Sequence, residues 1–166
     1  MAGAIWGTYA FYHSPWWTRI GFAPDQPVLF SHRHHAGELR IDCRYCHSSV
    51  DRAAFAGLPA TQTCLSCHSQ IFTDTAMLRP VVASLRENRP MAWRSVTRLP
   101  NFVFFDHSIH IARGVACASC HGDVAHLALE EKLQKLDMRM CLTCHRHASA
   151  YGVTADHLLN CSTCHR

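Results

Sequence analysis

The chain has 166 residues, ten cysteines, fourteen histidines and a formal net charge of +4. Every cysteine belongs to one of five C-x-x-C-H motifs, the signature of covalent c-type haem attachment. Five haems would add about ten propionate carboxylates and bring the net charge to about −6, which excludes a basic, nucleic-acid-binding protein.

The number of motifs also limits the fold. About 33 residues for each haem are too few to enclose it in an ordinary peptide core. Strand signals are weak, so we expect short helices that each carry or follow a motif. We therefore predict a mainly α fold with extensive irregular chain: a multihaem cytochrome c with a haem stack as its core. Its parts are two two-haem units and a fifth, C-terminal haem.

The spacing within the motif has a chemical reason. Two thiols two residues apart can add to the two vinyl groups of one porphyrin, and the histidine that follows then lies under the iron as the proximal ligand. A zinc ribbon requires no histidine after each cysteine pair, and a disulfide framework leaves the histidines unexplained. A thioredoxin-like site would accompany a βαβ pattern that this sequence lacks. The motifs, numbered 1 to 5 in chain order, are Cys43–Cys46–His47, Cys64–Cys67–His68, Cys117–Cys120–His121, Cys141–Cys144–His145 and Cys161–Cys164–His165.

Residues 1–27 form an aromatic N-terminal segment. Clustered Trp and Tyr favour the membrane–water interface, so we expect this segment to be the end of a membrane anchor helix. The alternative is an aromatic segment packed on protein or haem. C-type haems are attached outside the cytoplasm, which predicts a location on the periplasmic side or the outer face of the bacterial inner membrane. The aromatic side chains are those of Trp6, Tyr9, Phe11, Tyr12, Trp16 and Trp17.

Residues 28–75 form the first predicted two-haem unit. In this unit F-x-H-x-x-H, residues 30–35, precedes motif 1. Two histidines three residues apart lie about one helical turn apart and can face two different irons. We expect His32 to be the distal ligand of its own haem at motif 1 and His35 to reach a neighbouring haem. His34, between them, is expected at the surface.

Residues 76–101 carry no haem motif and contain three prolines. Charged and apolar residues are mixed along this stretch. It is either a linker that wraps over the haems or a segment that contacts a partner, and the sequence favours neither.

Residues 102–166 form the second unit, with three haems. F-x-H-x-x-H recurs at residues 105–110 before motif 3, so His107 and His110 are expected to act as His32 and His35 do. For the remaining distal position the candidate is Met138, three residues before motif 4, because a thioether can bind haem iron. His157 and His126 are the alternates. Met138 could instead pack against a haem face.

Nearly all cationic residues are arginines; the only two lysines are Lys132 and Lys135. Arginine forms bidentate pairs with carboxylates. Several arginines are therefore candidates for holding haem propionates, with plain surface charge as the alternative. Those we single out are Arg33, Arg44, Arg113 and Arg146.

Three stretches resemble the pentahaem cytochrome c subunit of bacterial alternative complex III. They are "SPWWTRIGFAPDQPVLFSHRHHAGELRIDCRYCHSSVDRAAFAGLPATQTCLSCHSQI" (14–71), "LPNFVFFDHSIHIARGVACASCHGDV" (99–124), and the "LDMRMCLTCHR" and "CSTCHR" that follow. Motif order, interhaem spacing and the "FAGLPATQTCLSCHSQI" joint are more specific than C-x-x-C-H alone. The resemblance covers nearly the whole chain beyond about residue 14. In the family a transmembrane helix precedes the "SPWWTR" region.

The resemblance implies an electron wire in a quinol:electron-acceptor oxidoreductase. Integral membrane subunits would oxidise quinol, and five haems of this chain would carry the electrons to a monohaem cytochrome c subunit or a soluble carrier. The carrier would be a cytochrome c or a copper protein, and an iron–sulfur protein is a further implied partner. No substrate-converting site is expected on this chain itself.

Two other functions fit parts of the sequence. A free periplasmic multihaem shuttle would share F-x-H-x-x-H, although such shuttles are usually lysine-rich and lack an aromatic N-terminus. A multihaem reductase needs a haem with an open distal side. Nine histidines lie outside the five motifs, so nothing in the sequence indicates an open site.

Overall fold

The computed structural model describes residues 1–154 and 156–166, where short helices alternate with irregular chain. This part of the molecule contains two isolated β-bridges, Ile20–Lys132 and Val103–His165, and no strand. The predicted mainly α fold is therefore confirmed. The α-helices are α1 (Ala2–His13), α2 (Pro15–Thr18), α3 (Cys43–Cys46), α4 (Thr61–His68), α5 (Arg79–Arg86), α6 (His107–Ala112), α7 (Ala118–His121), α8 (Met138–His145) and α9 (Cys161–Cys164). A π-helix covers Arg33–Glu38, and 3-10 helices cover Ala76–Leu78, Val124–His126 and Ala148–Tyr151.

Each C-x-x-C-H motif lies on or at the edge of a short α-helix. Polar N-cap side chains begin three of these helices: Asp42 before α3, Asp137 before α8 and Asn160 before α9 each accept a bond from a backbone N–H of the first turn. Residues three apart on a helix share a face, so one turn presents both thiols of a motif to the same side. The local sequence thus forms the geometry that a single porphyrin edge requires.

The polypeptide alone forms only a small apolar core. Val28, Leu78 and Val81 pack together, with Met91 and Trp93 partly buried against them. The accessible surface is 12128 Å², whereas a compact monomer of this mass exposes about 8,300 Å². A chain with this ratio of motifs to residues needs its haems to complete the interior.

The segment at residues 76–101 contributes to this small core. Leu78 and Val81, from its helical first part, are among the most buried side chains. Its second part is joined to the N-terminal region, because the Gln26 side chain donates to the Arg94 carbonyl at 2.8 Å and accepts from the Arg94 N–H at 2.9 Å. The segment therefore packs along the first unit.

The two units contact each other directly. The Arg33 N–H donates to the Leu127 carbonyl at 2.8 Å. Beside this bond, the π-helix passes so close to the second unit that a Cβ on Gly37 would lie 2.5 Å from the Ala125 carbonyl oxygen. Glycine is required at this crossing because a side chain would collide with backbone.

The N-terminal helix α1 has no buried residue. Aromatic rings of the segment contact one another, as in the edge-on pair of Tyr12 and Trp17, whose ring centroids are 4.9 Å apart. Trp6 and Trp16 remain more than two-thirds exposed. Within the described residues, no helix combines the length and the apolar character that crossing a membrane requires.

Candidate haem sites

The structure brings histidines together in three pairs. Each pair joins the histidine of a C-x-x-C-H motif to a histidine of an F-x-H-x-x-H segment. The ring centroids are 6.2 Å apart for His35 and His68, 6.3 Å for His107 and His121, and 6.2 Å for His110 and His145.

This separation fits one metal ion between two rings. A metal–imidazole nitrogen bond is about 2 Å long, and the nitrogen lies about 1 Å from the centroid of its ring. Two ring centroids on either side of one metal ion are therefore about 6 Å apart. Within the described residues, no group of three or more His, Cys, Asp or Glu side chains is arranged to hold a metal ion. A haem iron takes four nitrogens from its porphyrin and needs only two axial ligands from the protein. Paired rings without a third ligand therefore suit haem better than a bare metal ion.

The phenylalanine of F-x-H-x-x-H has the same role in both copies of the segment. Phe30 stacks on His35 at 4.4 Å and meets His32 edge-on at 5.0 Å. Phe105 stacks on His110 at 4.5 Å and meets His107 edge-on at 4.8 Å. The repeated sequence thus produces a repeated ring cluster, in which one aromatic side chain orients both histidines.

Backbone carbonyls orient most of these rings through Nδ1. His35 and His110 each bond the carbonyl four residues earlier, at 2.9 and 2.7 Å, and His107 bonds the Ala54 carbonyl at 2.7 Å. In motif 1, His47 bonds the Gly57 carbonyl at 2.7 Å. A carbonyl acceptor fixes the proton on Nδ1 and leaves Nε2 free to bind a metal. The bond from His107 also joins the two units.

His32 is half-buried and differs from these neighbours. Burial, together with smaller effects of the nearby His47 and His35 rings, lowers its pKa to about 4. The His32 Nδ1 lies 3.7 Å from Oε1 of Glu130, not beside a backbone carbonyl. Burial likewise lowers the pKa of His121, with added effects from His107 and His47. Neutral rings of this kind are suited to bind a metal.

Glu130 is a site residue that the sequence did not indicate. It lies 98 positions from His32 and belongs to no motif. Burial raises the pKa of its carboxyl group. No local pattern could have identified it, because its closeness to His32 depends on how the two units pack.

All ten cysteines are free thiols. Burial raises the pKa of five of them, and for four of these five a thiol of another motif raises the pKa further. The neighbouring thiols from different motifs are Cys46 with Cys64, Cys43 with Cys117, Cys120 with Cys141, and Cys141 with Cys164. Taken in the order of these neighbouring thiols, the motifs run 2, 1, 3, 4, 5.

The histidine of motif 5 has no histidine opposite it among the described residues. Its nearest ring is Phe102, at 5.9 Å. Of the predicted candidates for this position, Met138 begins α8 and is 65% exposed. His126 bonds Asp123 through Nδ1 at 2.7 Å, and His157 is exposed. Among the described residues, neither His126 nor His157 forms a ring pair with His165.

Two further histidines are exposed. His34 pairs with Glu38 at 2.9 Å on the surface, and its ring meets the His35 ring edge-on at 5.3 Å. His147 bonds the carbonyl of Thr143 at 2.8 Å through Nδ1, as His35 and His110 bond theirs.

The four singled-out arginines differ in their contacts. Arg44 pairs with Asp42 at 3.2 Å and lies 3.9 Å from Asp51. Arg33, Arg113 and Arg146 form no ion pair with another described residue. These three remain the better candidates for holding propionates.

Parts of the sequence match a known family and a known protein. Residues 103–166 match the family described as cytochrome c7 and related cytochrome c. The chain is 30% identical, over 175 aligned positions, to the menaquinone reductase multiheme cytochrome c subunit of Nitratidesulfovibrio vulgaris, and the alignment covers 91% of this chain and 83% of that protein. The chain therefore belongs to the family of multihaem cytochromes c, electron-transport proteins with covalently bound c-type haem.

Proposed function

We propose that this chain carries five covalent haems as an electron wire within a membrane-bound, quinol-linked oxidoreductase. The observation that supports it best is the set of three histidine pairs at 6.2–6.3 Å. Each pair offers one haem iron two axial ligands, so these haems would be six-coordinate. Six-coordinate iron passes electrons without binding a substrate.

The haems are held by residues of this chain. The ten motif cysteines form the thioether attachments, and His47, His68, His121, His145 and His165 are the proximal ligands. Four distal ligands come from the two F-x-H-x-x-H segments: His32 for the haem of motif 1, His35 for motif 2, His107 for motif 3 and His110 for motif 4. Met138 is our candidate for motif 5, with His157 and His126 as alternates.

When bound, the haems supply one-electron chemistry. The residues of the chain hold the haems and orient their ligands. The motif cysteines would hold each porphyrin through thioethers, and the paired histidines would ligate the iron. Carbonyls on Nδ1 hold the rings in one orientation, so little rearrangement accompanies a change of charge. No proton or bond needs to move in a substrate.

The contacts between motifs suggest the path of the electrons. Neighbouring thiols place the motifs in the order 2, 1, 3, 4, 5. The haems of motifs 1 and 3 would then join the two units. The haems of motifs 2 and 5 would lie at the two ends, where electrons enter and leave.

The name of a relative and the N-terminal segment support membrane-bound partners. The relative in Nitratidesulfovibrio vulgaris is named as a subunit of menaquinone reductase, and exposed Trp and Tyr suit a membrane–water interface. We infer integral membrane subunits that react with quinone, an iron–sulfur protein and a monohaem cytochrome c. A soluble cytochrome c or copper protein would exchange electrons on the periplasmic side.

Two directions of electron flow are compatible with this wire. The resemblance to the pentahaem subunit of alternative complex III favours quinol oxidation, with electrons leaving to the carrier. The name of the menaquinone reductase relative favours the reverse, in which a periplasmic donor reduces quinone through the haems.

Purification of the chain from native membranes in mild detergent tests the proposal. We expect co-purification with integral membrane subunits and five haems per chain by mass spectrometry. Haem reduction by added quinol would support the oxidising direction, and quinone reduction by a reduced periplasmic cytochrome the other. A chain that washes off as a soluble monomer indifferent to quinol would instead be a free periplasmic multihaem shuttle.

A further inference from the structure

The environment of His32 differs from that of the other three F-x-H-x-x-H histidines. His35, His107 and His110 all direct Nδ1 at backbone carbonyls, at 2.7–2.9 Å. The Nδ1 of His32 faces a carboxylate oxygen of Glu130 at 3.7 Å. The two side chains are only 25% and 14% exposed, so water does not separate them freely.

Neither atom has another partner. The Nδ1 of His32 and Oε1 of Glu130 are both buried without a hydrogen bond. Leaving a buried donor or acceptor unpaired costs about 1–3 kcal/mol. Each atom is thus the nearest available partner of the other, across the 3.7 Å that separates them.

The packing of the two units holds Glu130 in this place. The Arg33 N–H bonds the Leu127 carbonyl at 2.8 Å, three residues before Glu130. Gly37 of the first segment lies so close to the second that a Cβ there would be 2.5 Å from the Ala125 carbonyl oxygen. Backbone contacts between residues 33–37 and residues 125–127 therefore hold the Glu130 carboxylate beside His32.

We propose that Glu130 is a positioning residue that accepts the Nδ1–H of His32 and lowers the reduction potential of the haem at motif 1. A carboxylate acceptor makes the ring a stronger ligand than a carbonyl acceptor does. A stronger axial donor stabilises the ferric state, and axial ligation with its hydrogen bonds is a main determinant of haem potential. The inference rests on the proposed role of His32 as distal ligand at motif 1.

A redox titration of the purified holoprotein compares wild type with Glu130→Gln. The amide oxygen still accepts a hydrogen bond but carries no charge. We expect one of the five one-electron steps to move to higher potential and the low-spin EPR signal of that haem to change, with haem content unaltered. Glu131→Gln is the matched control, since it removes the same charge from the next residue. This variant should leave the potentials of all five one-electron steps unchanged.

Two further variants show which haem changes its potential in Glu130→Gln. His32→Ala should turn the haem of motif 1 high-spin, and the step altered in that variant must be the one that moves in Glu130→Gln. Glu130→Asp keeps the charge but places it farther from His32, so it should shift the potential of the same haem by less than Glu130→Gln does. If Glu130→Gln loses haem, Glu130→Asp serves as the test in its place.

The inference is overturned if Glu130→Gln titrates like wild type, if a different haem moves, or if Glu131→Gln has an equal effect. A low-spin His32→Ala protein, or a Cys43–Cys46 peptide without haem, would overturn the underlying assignment of His32 as well.

Discussion

At the residue scale, His35, His107 and His110 share one arrangement: Nδ1 bonds a backbone carbonyl, and the ring lies opposite the histidine of a motif. Phe30 and Phe105 stack on His35 and His110, which keeps these rings in the orientation that the pairing needs. His34 directly precedes His35 in sequence but lies at the surface, where it pairs with Glu38. Adjacent histidines of the same type therefore have different expected functions.

This difference between neighbours can be tested directly. We expect His35→Ala to remove the distal ligand of the haem at motif 2, because the His35 ring lies opposite His68 at 6.2 Å. One haem of five should become high-spin by EPR and bind carbon monoxide when reduced. His34→Ala is the control and should keep the wild-type low-spin spectrum. A high-spin signal in His34→Ala and none in His35→Ala would contradict the pairing.

At the scale of elements, short helices place the haem ligands, and their caps matter because the helices have few turns. Helix α8 carries both thiols and the histidine of motif 4 in eight residues. Its N-cap, Asp137, accepts the Met140 N–H at 3.0 Å and also lies 3.5 Å from the Lys135 Nζ. A helix this short has little stability of its own, so the cap is a large share of what holds it.

Removing the cap should weaken the holoprotein measurably. We expect Asp137→Ala to lower the free energy of unfolding by about 1 kcal/mol, and therefore the Tm by about 2–4 °C. Thermal unfolding followed in the Soret band measures this change. Asp137→Asn loses the ion pair with Lys135 but keeps a capping oxygen, so it should stay close to wild type. Equal losses in both variants would mean that the ion pair, and not the cap, stabilises α8.

At the scale of the whole molecule, the haems are structural as well as functional. Only a few apolar side chains are buried, and the polypeptide exposes 12128 Å². Burial of apolar surface is the main force for folding, so a chain that buries so little without haem has little to hold it together.

Haem removal should therefore unfold the chain. Expressed without the machinery that attaches c-type haem, the protein should show no cooperative thermal transition. Its radius of gyration by small-angle scattering should rise well above the value of about 15 Å expected for a compact chain of this length. The matured protein from the same sequence is the control. A compact apoprotein with a sharp transition would contradict the haem-as-core arrangement.

Residues close together in sequence determined the haem-attachment motifs and the fold class of this protein. Two thiols and a histidine within five residues specify covalent haem attachment, and the count of motifs against 166 residues indicated a mainly α, irregular chain around haems. The fold class and the multihaem cytochrome c character were predictable because both depend on local spacing and composition. The repeat also singled out four histidines as candidate distal ligands, and their assignment to iron stays a prediction.

Only the tertiary structure decided what depends on contacts between distant segments. It placed His35 opposite His68 and His110 opposite His145, ordered the motifs as 2, 1, 3, 4, 5, and set Glu130 beside His32. No periodicity encodes such contacts, because they arise from the packing of two units that meet through backbone bonds and a glycine crossing.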